Sequence, residues 1–135
     1  MERDKVIEEL LQIADRIRDL TLELKRLGRA HQDLHEKYSE LGYRHYTEVC
    51  NAVKEKGKPI YTNEDRRRHE VEHRLRNDKD AIELRTKRKG LDEKEEQVVS
   101  ELNRLQDRKL ILLVSLGAPI PHDVLGKSED SKYIT

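Results

Sequence analysis

The sequence contains no tryptophan and no phenylalanine, and its only aromatic rings besides histidine are five tyrosines among 135 residues. Without these large rings, any core or interface must be built mainly from aliphatic side chains. Charged residues make up 41% and hydrophobic residues 34% of the chain, against about 25% and about 45–50% in an average globular domain. This composition excludes a thick, multilayered core.

Other features are missing as well. The single Cys50 cannot form an internal disulfide, and the longest apolar run, Leu110 to Val114, is far too short to span a membrane. No charged-then-apolar signal segment begins the chain. Because 28 basic residues balance 28 acidic ones, no global electrostatic partner is implied. We therefore expect a cytoplasmic protein that does not enter membranes.

The first half of the chain carries an apolar pattern that steps by alternating fours and threes, which is typical of a coiled-coil helix. The apolar members of this stripe are Val6, Leu10, Ile13, Ile17, Leu20, Leu24, Leu27, Leu34, Tyr38, Leu41, Val49 and Ala52. His31 and His45 occupy two stripe positions and are candidates for polar contacts that set the register. Gly28 and Gly42 lie inside the helix, where each costs about 1 kcal/mol relative to alanine, so we expect bending or fraying there.

Gly57, Lys58 and Pro59 predict the end of the first helix, because proline and glycine are common just beyond helix ends. Residues 60–62 are then extended, and Thr62 or Asn63 caps a second helix. The apolar stripe of that helix is formed by Val71, Leu75, Ile82, Leu84, Leu91, Val98, Leu102, Leu105, Leu112 and Leu116. Gly117 and the prolines that follow it end the helix, so residues 118–135 are predicted to be an irregular tail.

These patterns predict an all-α protein built as a long antiparallel coiled-coil hairpin over residues 1–117. The expected helices cover about 2–56 and about 63–116, with the loop at 57–62. Folding back is the simplest way for two helices of similar length to bury both stripes. Extra apolar residues near Leu11 and from Leu110 to Leu113 would be covered if two hairpins formed a homodimer with a four-helix arrangement.

Two motifs suggest enzymatic chemistry. His69, Glu70 and His73 form H-E-x-x-H, which on a helix places two imidazoles for zinc and one general base. The flanking arginines oppose a dication, so a solvated helix face is the favoured interpretation. Arg26 and His31, like Arg68 and His73, have an Arg-x4-His spacing that resembles the motif of the HEPN ribonuclease family. The same spacing also arises readily by chance in a chain this rich in basic residues.

His31 and His35 form a further i, i+4 pair, but the sequence shows no acidic or cysteine partner for it. Neither a phosphate-binding glycine loop nor a Cys-x-x-Cys pair occurs. We therefore expect no catalytic residues, no cofactor and no metal, with His69 and His73 as the remaining metal candidates.

The connection between the helices is basic. Residues 54–68 contain six basic and three acidic side chains, a local charge of plus three. We name Lys58, Tyr61, Arg66, Arg67 and Arg68 the basic connection and predict that it binds phosphate or carboxylate groups, with Tyr61 available to stack on a base. A solvated turn is the alternative interpretation.

Residues 57–63, Gly-Lys-Pro-Ile-Tyr-Thr-Asn, together with Arg67, Leu75 and Asp78 inside a coiled coil, resemble small uncharacterised coiled-coil proteins of bacterial phages and mobile elements. The resemblance covers about a third of the chain. It implies a setting among replication, recombination or defence genes and supplies no catalytic residues. It favours a nucleic-acid or nuclease partner.

The sequence therefore predicts a non-enzymatic protein that binds another protein or a protein–nucleic acid assembly, within nucleic-acid processing or defence. Two alternatives remain open at this point. One is a small helical hydrolase or nuclease that uses the H-E-x-x-H zinc motif or the Arg-x4-His pair. The other is a purely structural coiled-coil scaffold in which the apolar stripe itself is the function.

Overall fold

The computed structural model describes residues 2–54 and 57–117, and every regular element in these ranges is an α-helix. Helix α1 spans Arg3–Asn51, α2 spans Glu64–Asn77 and α3 spans Lys79–Ser115. The prediction of an all-α chain is confirmed. The predicted tail, residues 118–135, lies outside the described residues. Within the described ranges, no helix is both long and apolar enough to cross a bilayer.

Helix α1 is continuous through both of its glycines. A Cβ atom added to Gly28 would meet nothing within 4 Å, and one added to Gly42 would lie 4.0 Å from Leu75 Cδ1. The bending or fraying expected at Gly28 and Gly42 therefore does not interrupt the single helix that the sequence predicts. Apolar packing on both sides of the glycines supports the continuity, because Leu20, Leu27, Leu41 and Val49 are buried and outweigh the small intrinsic cost of glycine.

The first helix ends at Asn51, five residues before the predicted end near 56, and residues 55 and 56 lie outside the described part. Beyond Asn51 the backbone turns back on itself. The Ile60 amide donates to the Ala52 carbonyl at 3.1 Å, and the Lys54 amide donates to the Lys58 carbonyl at 2.7 Å. These bonds satisfy groups that would otherwise continue the helix. Gly57 takes a positive φ of 76° in this turn, a conformation that favours glycine.

The second predicted helix is two helices, because the chain is extended at Asp78 (φ −76°, ψ 124°). Asn63 caps α2 by accepting a hydrogen bond from the Arg66 amide at 2.8 Å, as predicted for Thr62 or Asn63. Asp78 caps α3, since its Oδ1 accepts from the amides of Asp80 at 2.8 Å and Ala81 at 3.3 Å. The break changes which side chains are buried. Ala81 is fully buried, whereas Ile82, predicted in the stripe, is 45% exposed.

The chain divides into two compact units. In the described residues, unit 1 comprises 2–24 and 96–117, and unit 2 comprises 25–95. The core of unit 1 joins α1 to α3. Its buried members Val6, Ile13 and Leu112 are packed against partly buried residues of the same stripes, namely Leu10, Ile17, Leu105 and Leu116.

The helices of unit 2 contain fewer buried side chains than those of unit 1. Its buried apolar residues are Leu27, Leu41 and Val49 from α1 and Ala81 from α3, and α2 contributes none. Between Leu27 and Leu41, a stretch that is described completely, no residue of α1 is fully buried. Polar contacts such as those of Glu64 with Tyr46 and of His45 with Asp78 add to the thin apolar packing of this unit.

Candidate functional site

The basic connection is only partly free to bind a ligand. Lys58, Arg66 and Arg68 are exposed, whereas Tyr61 and Arg67 are half-buried. The Nε atom of Arg67 is buried and has no hydrogen-bond partner among the described residues. The predicted residues therefore lie in one continuous part of the chain but differ in how well a partner could reach them.

Glu64 offsets part of the charge of the basic connection. Its carboxylate lies 3.8 Å from Arg67 Nη1 and 3.4 Å from Arg68 Nε. The Tyr46 hydroxyl of α1 donates to the same carboxylate at 3.0 Å, and this hydrogen bond raises the pKa of Tyr46. Two of the three consecutive arginines thus share one acidic partner, and α2 is tied to α1 through it.

Tyr61 has a local role in addition to any predicted role in stacking. Arg74 Nε donates to Glu70 Oε1 at 3.0 Å, and this bond is the main cause of the lowered pKa of Glu70, with Tyr61 as a further contributor. Arg74 also lies 3.5 Å from Glu48 of α1. Tyr61 therefore lies beside the ion pairs that connect α2 to α1.

The H-E-x-x-H motif does not gather into a metal site. His69 and His73 are exposed, and Glu70 is occupied by Arg74. A general base must be free to take a proton, and a carboxylate whose pKa is lowered by a bound arginine is a poor one. Among the described residues, the one group of three ligand-bearing side chains with atoms within 4.8 Å of one another contains neither His69 nor His73.

The Arg-x4-His pairs are not brought together either. Residues five apart on one helix point about 140° away from each other at 3.6 residues per turn. Accordingly, Arg26 is exposed while His31 lies half-buried in the stripe, and Arg68 and His73 both face solvent. Neither pair forms a pocket that could hold a scissile phosphate.

His31 instead meets two carboxylates of α3. Its Nε2 lies 3.4 Å from Asp92 Oδ1 and 3.2 Å from Glu95 Oε2. The sequence interpretation found no acidic partner for His31 because the two carboxylates lie more than sixty residues away. A signal was present, however. Glu95 is seven residues before Leu102 and therefore occupies a position of the apolar stripe, as His31 does in α1.

His45, the second histidine of the stripe, binds the residue that separates α2 from α3. Its Nε2 lies 2.6 Å from Asp78 Oδ2, and both side chains are largely buried. This hydrogen bond is the main cause of the lowered pKa of Asp78, with help from the Ala81 and Asp80 amides. An ionised carboxylate only accepts, so Nε2 of His45 is the donor of this hydrogen bond. The register-setting contact predicted for His45 thus has a specific partner.

Unit 1 has two unlike flanks beside its apolar stripe. Glu9 and Arg16 each precede a stripe residue by one position, and they form two-bond ion pairs with Arg108 and Glu101 of α3. These bonds lower the pKa of both glutamates. The residues that come one position after a stripe position form the opposite flank, and this flank is apolar. We call it the apolar flank, and its members are Ile7, Leu11, Ala14, Leu110 and Leu113.

The apolar flank is accessible. Leu11 is 65% and Ile7 40% exposed, and Leu110 and Leu113 are half-buried. At about 100° per residue, side chains that follow the stripe by one position lie on the side opposite those that precede it. Charged pairs therefore cover one side of unit 1, and aliphatic side chains line the other.

No protein-family model, no curated protein and no solved structure matches this chain. Functional inference therefore rests on the residues and contacts described above.

Proposed function

We propose that the protein is a non-enzymatic interaction protein in which α1 and α3 pair antiparallel as a coiled coil within each unit. The ion pairs of unit 1 support this arrangement. From Glu9 to Arg16 the chain advances seven residues along α1, while their partners go back seven residues, from Arg108 to Glu101. A seven-residue step in opposite directions is the register of an antiparallel heptad pairing.

The observation that carries the proposed function is the apolar flank of unit 1, and the partner we assign to it is a second copy of this chain. Exposed aliphatic side chains that lie together usually mark an interaction surface. The chain has no net charge, so two copies meet without electrostatic repulsion. Pairing of two such flanks would bury Leu11 and Ile7 in a four-helix arrangement, as in helix bundles with wide apolar stripes.

The mass of the particle in solution tests this assignment. Size-exclusion chromatography with light scattering should give a dimer for the unaltered protein and a monomer for Leu11→Glu, because a buried unpaired carboxylate is costly. Leu22→Glu is the matched control. Leu22 is an α1 leucine that is 46% exposed and lies outside the apolar flank, so this variant should remain dimeric.

Two results would reject a dimer formed through the apolar flank. One is an unaltered protein that stays monomeric at concentrations of about 100 µM. The other is a Leu11→Glu variant with unchanged mass. If both leucine variants become monomeric to the same degree, the interface lies elsewhere on α1.

The basic connection is the surface that we assign to the partner assembly. Lys58 and Arg66 carry most of its available charge, because Arg67 and Arg68 share Glu64. Their exposure suits contact with phosphate groups of a nucleic-acid-containing assembly, in line with the expectation from sequence. Cationic contacts of this kind bind without reading base sequence.

Anisotropy of a labelled single-stranded oligonucleotide at several salt concentrations tests this second surface. Lys58→Ala with Arg66→Ala should weaken binding and reduce the slope of log K against log salt by about 1.4, since each phosphate contact to a single strand contributes about 0.7. Lys89→Ala with Lys94→Ala removes the same charge from α3 and serves as the control. Equal effects from both double variants, or no binding at low salt, would remove nucleic acid as the partner.

A further inference from the structure

Two polar residues face each other where the apolar stripes of α1 and α3 would place aliphatic side chains. His31 takes the stripe position between Leu27 and Leu34, and Glu95 takes the one between Leu91 and Val98. Asp92 lies three residues before Glu95 and therefore on the same face of α3. The result is one imidazole and two carboxylates gathered inside unit 2 with their ligand atoms within 4.8 Å of one another.

The contacts within this cluster are not hydrogen bonds. His31 Nε2 is buried and has no hydrogen-bond partner among the described residues, although Asp92 Oδ1 and Glu95 Oε2 lie 3.4 and 3.2 Å away. A nitrogen placed between two carboxylates without bonding to either is an unsatisfied polar group.

The distances match a different arrangement. Two ligand atoms bound to the same tetrahedral zinc ion, each at about 2.0–2.1 Å, lie about 3.3 Å apart. The two measured separations fall on either side of this value. The spacing of His31 Nε2 from its two neighbours is therefore compatible with atoms that share a metal ion.

We propose that His31, Asp92 and Glu95 form a zinc site that links α1 to α3 inside unit 2. One imidazole nitrogen and two carboxylate oxygens are ligands that Zn²⁺ accepts, whereas Mg²⁺ and Ca²⁺ require oxygen ligands in larger number. Three protein ligands leave the fourth position of a tetrahedral ion for water or for a partner's side chain. The half-exposed carboxylates give the ion a path from solvent, with Asp92 58% and Glu95 48% exposed.

The site lies where the apolar core contributes little to the contact between α1 and α3. It lies in the stretch of α1 between Leu27 and Leu41, where no side chain is fully buried. A metal bound there joins two helices whose direct apolar packing is thin, and its binding free energy adds to the folding of unit 2. Zinc thus regulates the stability of this unit without any part in catalysis.

Titration calorimetry of chelator-treated full-length protein with zinc chloride tests the site. The unaltered protein should bind one Zn²⁺ per chain, and its melting temperature should rise when zinc is added. His31→Ala should abolish this binding. Asp92→Asn and Glu95→Gln, which keep the shape of exposed side chains, should each weaken it at least tenfold, because each removes one ligand.

Two control variants separate this cluster from its surroundings. Glu93→Gln removes an exposed carboxylate of the same acidic run that is not in the cluster. His69→Ala removes the first histidine of the H-E-x-x-H motif. Both should bind zinc as the unaltered protein does. Circular dichroism of every variant verifies that the helices are retained, so a loss of zinc binding cannot be ascribed to unfolding.

Cobalt substitution reports the geometry independently of affinity. Co²⁺ in the unaltered protein should give the intense visible bands of a four-coordinate ion, and these should be missing in Glu95→Gln. The site is refuted if the unaltered protein binds no zinc, or if His31→Ala binds it normally. Binding that His69→Ala abolishes and His31→Ala retains would assign the metal to H-E-x-x-H and would equally refute this site.

Discussion

At the scale of single residues, the Asp78 side chain joins three separate parts of unit 2. One of its carboxylate oxygens caps α3 by accepting from two backbone amides, and the other accepts from His45 of α1 at 2.6 Å. The same residue is the point where α2 ends. The ionised Asp78 side chain therefore lies at the end of α2, caps the start of α3 and contacts α1 through His45.

We predict that acid destabilises the protein and that Asp78 is one cause. Its hydrogen bonds with His45 and with the amides of Ala81 and Asp80 hold its pKa below the ordinary 3.8. A carboxylate with a lowered folded pKa contributes stability above its unfolded pKa and loses that contribution as the pH falls through its folded pKa. Urea unfolding followed by circular dichroism should show stability falling below about pH 4.

Asp78→Asn is the variant that isolates this effect. It should be less stable than the unaltered protein at pH 7 and should lose less additional stability between pH 5 and pH 3. Asp80→Asn, a change at an exposed acid of the same helix turn, is the control and should follow the unaltered protein. An Asp78→Asn variant with the same stability at pH 7 would show that the His45 contact does not contribute.

Part of this residue-scale arrangement can be predicted from sequence. The heptad spacing places His31 and His45 in the stripe, and both do make polar contacts there. Their partners could not be identified, because pairing across two helices depends on register, and register depends on where each helix begins. The early end of α1 at Asn51 and the interruption at Asp78 both alter that register.

At the scale of elements, the spacing of the apolar residues gives no sign of the interruption between α2 and α3 at Asp78. Leu75 and Ile82 are seven residues apart, so the apolar pattern continues through the point where the helix stops. The extended conformation of Asp78 shifts the phase of α3, and Ala81 is buried in place of Ile82. Periodicity alone predicts helices well but does not detect a cap that falls between two stripe residues.

Replacing Gly28 and Gly57 with alanine should change the stability of the protein in opposite directions. Gly28→Ala should stabilise the protein by about 1 kcal/mol, because Gly28 is helical and an added Cβ meets nothing within 4 Å. Gly57→Ala should destabilise it by about 1–2 kcal/mol, because its φ of 76° is left-handed. Thermal and urea unfolding of the two variants measures both changes, and a loss of stability for Gly28→Ala would mean that α1 bends there in solution.

At the scale of the whole molecule, the balance of 28 basic and 28 acidic side chains governs behaviour in solution. We predict a minimum of solubility near neutral pH and at low salt, because a chain without net charge lacks the repulsion that keeps particles apart. Light scattering across pH 5 to 9 measures this. Replacing exposed Lys5 and Lys25 with glutamate shifts the net charge by four and should move the minimum to lower pH; an unmoved minimum would show that charge is not the cause.

Composition predicts only coarse features of the whole molecule, namely long helices and a thin core. A charge-rich chain with an aliphatic stripe and no large rings indicates long helices and a thin core, and the described residues are all-helical with few buried side chains. The division into two units could not be predicted, since it depends on which contacts are dense in the folded chain, and the spacing of the stripe does not show this.

Helix α2, which contributes no fully buried side chain, is anchored by exposed or half-exposed polar contacts, namely Tyr46 with Glu64 and Glu48 with Arg74. Contacts of this kind are individually weak and compete with water. We therefore expect α2 to open locally at a lower free energy than global unfolding, and its amide protons to exchange with solvent before those of the segments that carry Leu20 and Leu112. On this expectation the basic connection lies next to the part of the fold that opens first, and a partner that binds Arg66 would draw on a segment that detaches while α1 and α3 stay intact.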